Sequence, residues 1–167
     1  IVDIYMPDIK YGDSETARQY SKVRSYWEVN QAAVREMHRQ VGDLQIDKRG
    51  LATRGLLVRH LVLPGDIANT ENVLAFLAPD ISRNTYLNLM DQYFPCYRAW
   101  DYPPLDRPIT GDEYARAKGQ LAAALEVYPA FRYHAALRRG YRAAAKALAS
   151  SLSSWRRFRG GSADQGS

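Results

Sequence analysis

The sequence predicts an α/β fold built on parallel strands. Three observations carry this. Short runs that are apolar on both alternations recur, as in strands buried on both faces of a parallel sheet. Each run is followed by a helical pattern, so strand and helix alternate. Turn or capping residues stand between them. Alternation of this kind implies right-handed helical crossovers.

The first strand reads Ile1-Val2-Asp3-Ile4-Tyr5-Met6 and stops at Pro7-Asp8. Gly12-Asp13 turns the chain, and Asp13 is a candidate N-cap for a short helix to Tyr20. Ser25 and Glu28 have capping-box spacing and open a helix to about Val41. Val34, Met37 and Val41 share a face of it, and Gly42 is placed to end it. A polar stretch, Asp43 to Thr53, precedes the second strand, Gly55 to Leu63, which Pro64-Gly65 closes. Asn69 caps a helix carrying Val73, Leu74, Leu77 and Ile81. The third strand is Thr85 to Met90, followed by a loop rich in proline and aromatics, Phe94 to Pro108. Thr110 and Glu113 form a second capping-box pattern, opening a helix to about Leu125.

Three βα units leave a strand edge open and one sheet face half covered, so the chain reads as incomplete. A first residue of Ile1 rather than Met fits either processing or a start inside a longer gene. Two regions are expected: the α/β part over 1–125, and a tail over 126–167 rich in Ala, Arg and Ser. Residues 135–152 have helix propensity, and the end from Gly160 to Ser167 is expected to be disordered.

The charge is uneven. Residues 1–125 carry 15 Lys and Arg against 16 Asp and Glu, whereas 126–167 carry 8 against 2. The basic pI of about 9.4 therefore belongs to the tail, and does not argue for nucleic-acid binding by the body. No apolar run reaches the roughly 18 residues needed to span a bilayer. The single cysteine, Cys96, excludes an internal disulfide and any all-cysteine metal or cluster site within this chain. These features predict a cytoplasmic protein.

In parallel α/β folds, ligands collect at the carboxyl ends of strands. The first strand delivers Asp8 and Lys10, two apart and hence on one side of an extended chain. They suit a small zwitterionic ligand or a cation beside one; the alternative is a surface ion pair closing a strand. Arg59 lies inside an apolar run, where it needs a partner: a bound carboxylate, or a neighbouring Asp. His60, next in sequence, faces the helices and reads as structural. Asp91, Gln92 and Tyr93 end the third strand, as ligand contacts or as loop anchors.

Four blocks resemble one family. Met6-Pro-Asp-Ile-Lys-Tyr11, Glu36-Met-His-Arg-Gln-Val-Gly-Asp43, Arg54-Gly-Leu-Leu-Val-Arg-His-Leu-Val-Leu-Pro-Gly65 and Thr85-Tyr-Leu-Asn-Leu-Met-Asp-Gln-Tyr-Phe-Pro95 look like radical S-adenosylmethionine (SAM) proteins of the pyruvate formate-lyase activating enzyme-like group. The resemblance runs from residue 1 to about 120. It implies the C-terminal half of a partial (β/α)₆ barrel related to the TIM barrel. It also implies a parent enzyme whose first half holds a [4Fe–4S] cluster on C-x-x-x-C-x-x-C. Such an enzyme cleaves SAM reductively and abstracts a hydrogen atom, in activating enzymes from a glycine of a partner protein.

By matched position, the resemblance assigns Lys10 and Arg59 to the methionyl part and carboxylate of SAM. It assigns Asp8 to a monovalent cation, and Asp91, Gln92 and Tyr93 to the ribose or adenine. The chain has neither C-x-x-x-C-x-x-C nor the glycine-glycine-glutamate stretch that meets the SAM amino group. It is therefore expected to be inert alone, as a fragment lacking the N-terminal half of the barrel. The alternative is a cluster-free module that binds a nucleotide or a partner. A third reading is phosphate-backbone binding by the tail arginines, Arg138, Arg139, Arg142, Arg156, Arg157 and Arg159. A non-native or disordered basic tail is favoured over it.

Overall fold

A computed structural model describes residues 2–130 and 132–135. All of them fall in the first of the two units into which the chain divides, Ile1–Ala136. The expected helix over 135–152, the basic cluster and the expected disordered end lie almost wholly outside the described residues.

The expected first strand forms over Ile4–Tyr5 (β1), and past its expected stop at Pro7-Asp8 a second short piece, β2 (Asp8–Ile9), continues it. Both pair in parallel with β4 (Ala52–Leu61), with Ile4 opposite Gly55 and Asp8 opposite Arg59. Pro7 separates them because it has no N–H for the ladder. Its carbonyl still accepts from the Arg59 backbone N–H at 2.9 Å, so the strand direction is kept. On the other side of β4 lies β5 (Tyr86–Met90), also parallel, with Leu57 opposite Tyr86.

A fourth parallel strand, β6 (Arg132–Ala135), pairs with β5 and was not expected. It falls in the stretch read as the start of the tail. Four residues with Arg and His at alternate positions, running into an Ala-rich segment, carry no strand signal of their own. The expected three βα units thus become four parallel strand positions, in the order β1/β2, β4, β5, β6.

The polar stretch also contains a strand. β3 (Gln45–Ile46) pairs antiparallel with the start of β4, which begins at Ala52. Asp47 closes the hairpin, its carboxylate accepting from the backbone N–H groups of Arg49 and Leu51, both at 2.9 Å. Gly55 lets the segment before β3 lie directly on β4. Its φ is 114°, and a Cβ there would collide with the Asp43 carbonyl.

Helix α1 (Ser14–Ser21) is capped as expected, Asp13 accepting from the Thr16 N–H at 2.7 Å. Helix α2 (Tyr26–Val41) is not capped by Ser25, which adopts φ 51° and makes no side-chain cap bond. Ser14 replaces it. Its hydroxyl accepts from the Trp27 N–H at 2.8 Å and donates to Glu28 at 2.6 Å. The expected capping box is therefore a tie between α1 and α2.

Helix α3 (Thr70–Phe76) follows its Asn69 cap, but the expected continuation to Ile81 widens into a π-turn over Leu77–Ile81. Pro79 lies within that turn and cannot donate to it. Helix α4 (Gly111–Val127) has the expected capping box: Thr110 Oγ1 accepts from the Glu113 N–H at 3.2 Å, and Glu113 accepts from the Thr110 N–H at 2.7 Å.

The core lies on one side of the sheet. Ile9, Val58, Leu87 and Leu89 pack, with no exposure, against Val34 of α2, Val73 of α3 and Leu121 of α4. Burying each Leu, Ile or Val contributes about 1.5–3 kcal/mol, so a one-residue register slip would be strongly disfavoured. The opposite alternation carries Ile4, Asp8, Leu57, Arg59, Tyr86 and Asn88, all partly or well exposed. No described helix covers it. The architecture is a mixed α/β fold on an open, parallel sheet, with no closed barrel among the described residues. No described helix is long and apolar enough to cross a membrane.

A second apolar cluster, Tyr11, Ala17, Leu63, Ala68 and Leu105, closes the carboxyl end of the strands. Tyr20, Tyr26, Leu61 and Tyr93 pack against it.

Candidate functional site

Register places one polar row across the sheet. Asp8 stands opposite Arg59, Arg59 opposite Asn88, and Asn88 opposite His134. Register partners in parallel strands project to the same face, at a strand spacing of about 4.8 Å. For Asp8, Arg59 and Asn88 this is the face that no described helix covers, because Ile9, His60 and Leu89 point the other way into the core.

Asp8 is the hub. Its Oδ1 accepts from Arg59 Nε at 2.6 Å and its Oδ2 from Lys10 Nζ at 3.2 Å. The side chains of Asp8, Arg59 and Lys10 are 28%, 36% and 52% exposed, so the cluster is wet on one side. The backbone beneath is held from α2: the Lys10 N–H donates to Tyr26 Oη at 2.8 Å, and Asn30 Nδ2 reaches the Asp8 carbonyl at 3.4 Å. Burial pushes the Tyr26 phenol pKa up, which keeps that oxygen a neutral acceptor.

The three residues expected to converge do so. They meet as the ion pairs the alternative readings described, Lys10 closing its own strand and Arg59 paired with a neighbouring Asp. The pairing leaves capacity unused. Of the Arg59 guanidinium nitrogens, Nε alone has a hydrogen-bond partner among the described residues, whereas a guanidinium carries five N–H donors. Two cations share one carboxylate, so the cluster has an excess of positive charge and suits an anionic group such as a carboxylate. A monovalent cation on Asp8 would share its oxygens with the two cationic donors already there.

His60 is fully buried on the opposite face. Its Nδ1 lies 2.7 Å from the Ile9 carbonyl and its Nε2 3.0 Å from Thr70 Oγ1. A carbonyl only accepts, so Nδ1 carries the proton and Nε2 accepts from the Thr70 hydroxyl. Burial pulls its pKa down to about 4, keeping it neutral. It pins β2 and the start of α3 to β4, the structural role expected of it.

The end of β5 sits apart from the row. Asp91 to Tyr93 begin three residues beyond Asn88, about 10 Å along an extended chain. Tyr93 donates to the Leu105 carbonyl at 2.7 Å and is half-buried, with burial pushing its pKa up to about 12. That is the loop-anchoring role. Gln92 Nε2 is 3.7 Å from Met90 Sδ, and Asp91 is half-buried. The hydrogen bonds shown for Gln92 and Tyr93 do not reach Asp8, Lys10 or Arg59.

The donor set does not fit a [4Fe–4S] cluster. Such clusters need several thiolates, and the one cysteine, Cys96, is exposed in the loop after β5. No group of three or more His, Cys, Asp or Glu placed to hold a metal occurs among the described residues. Sequence reading overlooked Asn88. Its signal was an amide inside an apolar strand run, a position where asparagine is disfavoured.

Comparison with known proteins finds a relative among the curated proteins. The chain is 30% identical over 118 residues to "Uncharacterized protein MJ0674" of Methanocaldococcus jannaschii. The match covers 70% of this chain but 30% of that protein, so the chain spans less than a third of its relative's length. No protein-family model matches the chain, and no solved structure matches it.

Proposed function

We propose that the Asp8–Lys10–Arg59 cluster binds the aminocarboxylate end of S-adenosylmethionine, and that the chain forms the C-terminal half of a partial (β/α)₆ barrel of radical SAM type. The observation that supports this most is an arginine with unused donors, oriented by an aspartate, on the one sheet face that no described helix covers. The four sequence blocks that resemble the family add to it.

In this reading Arg59 offers its terminal nitrogens to the ligand carboxylate, while Asp8 fixes the guanidinium by holding Nε. Lys10 adds charge at the strand mouth and keeps the freedom of a half-exposed side chain. Ile4 and Leu57, on the same face, would exclude water from a bound ligand. Asp91, Gln92 and Tyr93, beyond the end of β5, would meet the nucleoside part. Asp8, Lys10 and Arg59 would hold the methionyl end of SAM, and a cluster held elsewhere would supply the electron for its reductive cleavage. The cluster ligands would come from polypeptide outside this chain, which would also close the open face. A partner protein supplies the substrate glycine in this reading, and the cytoplasm is the setting.

Equilibrium dialysis with radiolabelled SAM tests the binding claim on the chain itself. Saturable binding that methionine displaces and adenosine alone displaces poorly supports it. Binding that Arg59→Ala and Lys10→Ala leave unchanged would overturn it. Anaerobic reconstitution with iron and sulfide should give no stoichiometric cluster on the monomer.

A further inference from the structure

We infer that Tyr26 and Asn30 are positioning residues of this site: together they give β2 the hydrogen-bond donor and acceptor that one residue of a neighbouring parallel strand would give, and so fix the backbone that carries Asp8 and Lys10. The inference rests on the reading of the Asp8–Lys10–Arg59 cluster as a ligand site, and adds to it the groups that hold the cluster in place.

Strand geometry shows which backbone groups face outward. The Pro7 carbonyl accepts from the Arg59 N–H at 2.9 Å and the Ile9 carbonyl from His60 Nδ1 at 2.7 Å, so both turn toward β4. In a trans peptide unit C=O and N–H point in opposite directions, and successive carbonyls of a strand alternate sides. The Asp8 carbonyl and the Lys10 N–H therefore turn to the outer edge of β2, which no described strand pairs. One residue of a parallel neighbour, standing opposite Ile9, would donate its N–H to the first and accept from the second.

Helix α2 supplies both partners instead. Tyr26 and Asn30 stand four apart and share a face of it. Tyr26 Oη accepts from the Lys10 N–H at 2.8 Å, and Asn30 Nδ2 donates to the Asp8 carbonyl at 3.4 Å. Nδ2 also lies 3.5 Å from Tyr26 Oη, which ties the two side chains together. The Tyr26 ring is held edge-on against Tyr11, with ring centres 5.5 Å apart. Asn30 Oδ1 is buried without a partner, a cost that an apolar side chain would avoid, so packing alone does not favour asparagine here. Side chains in place of a strand satisfy the edge without carrying backbone past Lys10, into the space a ligand needs.

The test uses the full chain, with SAM as the probe. Affinity is measured by NMR titration, and amide exchange is read at Lys10 against Leu89, which is fully buried in the core. Tyr26→Phe keeps the ring against Tyr11 and removes the acceptor. It should speed exchange at Lys10 about tenfold relative to Leu89, and weaken SAM about fivefold. Lys10→Ala should also weaken SAM. Adding Tyr26→Phe to Lys10→Ala should weaken it less than about twofold further, since the side chain it positions is gone. A merely structural role would give the same loss in both backgrounds, and that result overturns the inference. Unchanged SAM affinity in Tyr26→Phe, with Arg59→Ala still weakening it, also overturns it, although the site stands. If the wild type binds no SAM, the reading of the site fails and takes the inference with it. Should Tyr26→Phe not fold, Asn30→Ala, which removes the donor to the Asp8 carbonyl, is read in the same cycle.

Discussion

Asp8 and Arg59, 51 residues apart, face each other in register across β2 and β4, joined by a 2.6 Å bond from Arg59 Nε to Asp8 Oδ1. Strand pairing thus brings a carboxylate at the end of one strand to an arginine inside another. Because the bond uses Nε, it aims the rest of the guanidinium without consuming it.

Asp8→Asn should therefore test electrostatics more than packing. It leaves Lys10 and Arg59 as neighbours with no anion between them. With all three side chains partly exposed, the loss should be about 1 kcal/mol or less at low ionic strength. It should shrink as salt screens the repulsion. Urea denaturation at low and high sodium chloride measures this. A large loss that salt does not change would mean that Asp8 acts by packing.

His60→Ala should act on stability and leave the charged cluster alone. It strands the Ile9 carbonyl and the Thr70 hydroxyl in a dry interior and opens a cavity, a cost of about 2–4 kcal/mol. SAM affinity should stay within twofold of the wild type in samples still folded. If His60→Ala costs more affinity than Arg59→Ala, the facing of β4 has been misassigned.

Glu113 should control part of the acid stability. Its carboxylate, 12% exposed, accepts from Arg107 at 2.8 Å, from the Gly65 N–H at 2.7 Å and from the Thr110 N–H at 2.7 Å. The Arg107 hydrogen bond, more than burial opposes it, holds its pKa well below the usual carboxylate range. A depressed carboxylate contributes stability above its unfolded pKa and loses it as pH falls below that value. His60, with its pKa lowered to about 4, costs stability as pH falls from about 6.5 toward 4, because only the unfolded chain takes up the proton there. Thermal melts from pH 7 to 3 should show both losses. Glu113→Gln should flatten the curve below about pH 4.5, and leave the segment between pH 6.5 and 4.5 unchanged.

Gly55→Ala should be among the most damaging small substitutions. The added methyl would meet the Asp43 carbonyl, at a φ of 114° that alanine rarely adopts. A loss of at least about 2–3 kcal/mol is expected, with hydrogen exchange fastest in β3 and the start of β4. Gly50→Ala, with open space around it, should cost less.

The parts legible in the sequence were those with local signals. The three apolar runs became β1, β4 and β5, and Asp13, Asn69 and Thr110 cap α1, α3 and α4. What escaped depended on tertiary contacts. Ser25 has the right spacing to Glu28, yet Ser14 of the preceding helix takes the Trp27 N–H, because α1 and α2 pack together. Strand β6 is four residues long and is defined by its pairing with β5. In the candidate site, spacing gave Asp8 and Lys10, and an arginine in an apolar run gave Arg59. Asn88 became visible when register placed it beside Arg59 and its oxygen proved unpaired.

The central claim is that Asp8, Lys10 and Arg59 form a ligand site on the open face of the sheet. A ¹⁵N-resolved NMR titration of the chain with SAM tests it most directly. The account predicts saturable shifts concentrated at Asp8, Lys10 and Arg59, weakened by about 1.5–3 kcal/mol in Arg59→Ala. Shifts confined to the helices on the other face, or none at millimolar SAM, would contradict it.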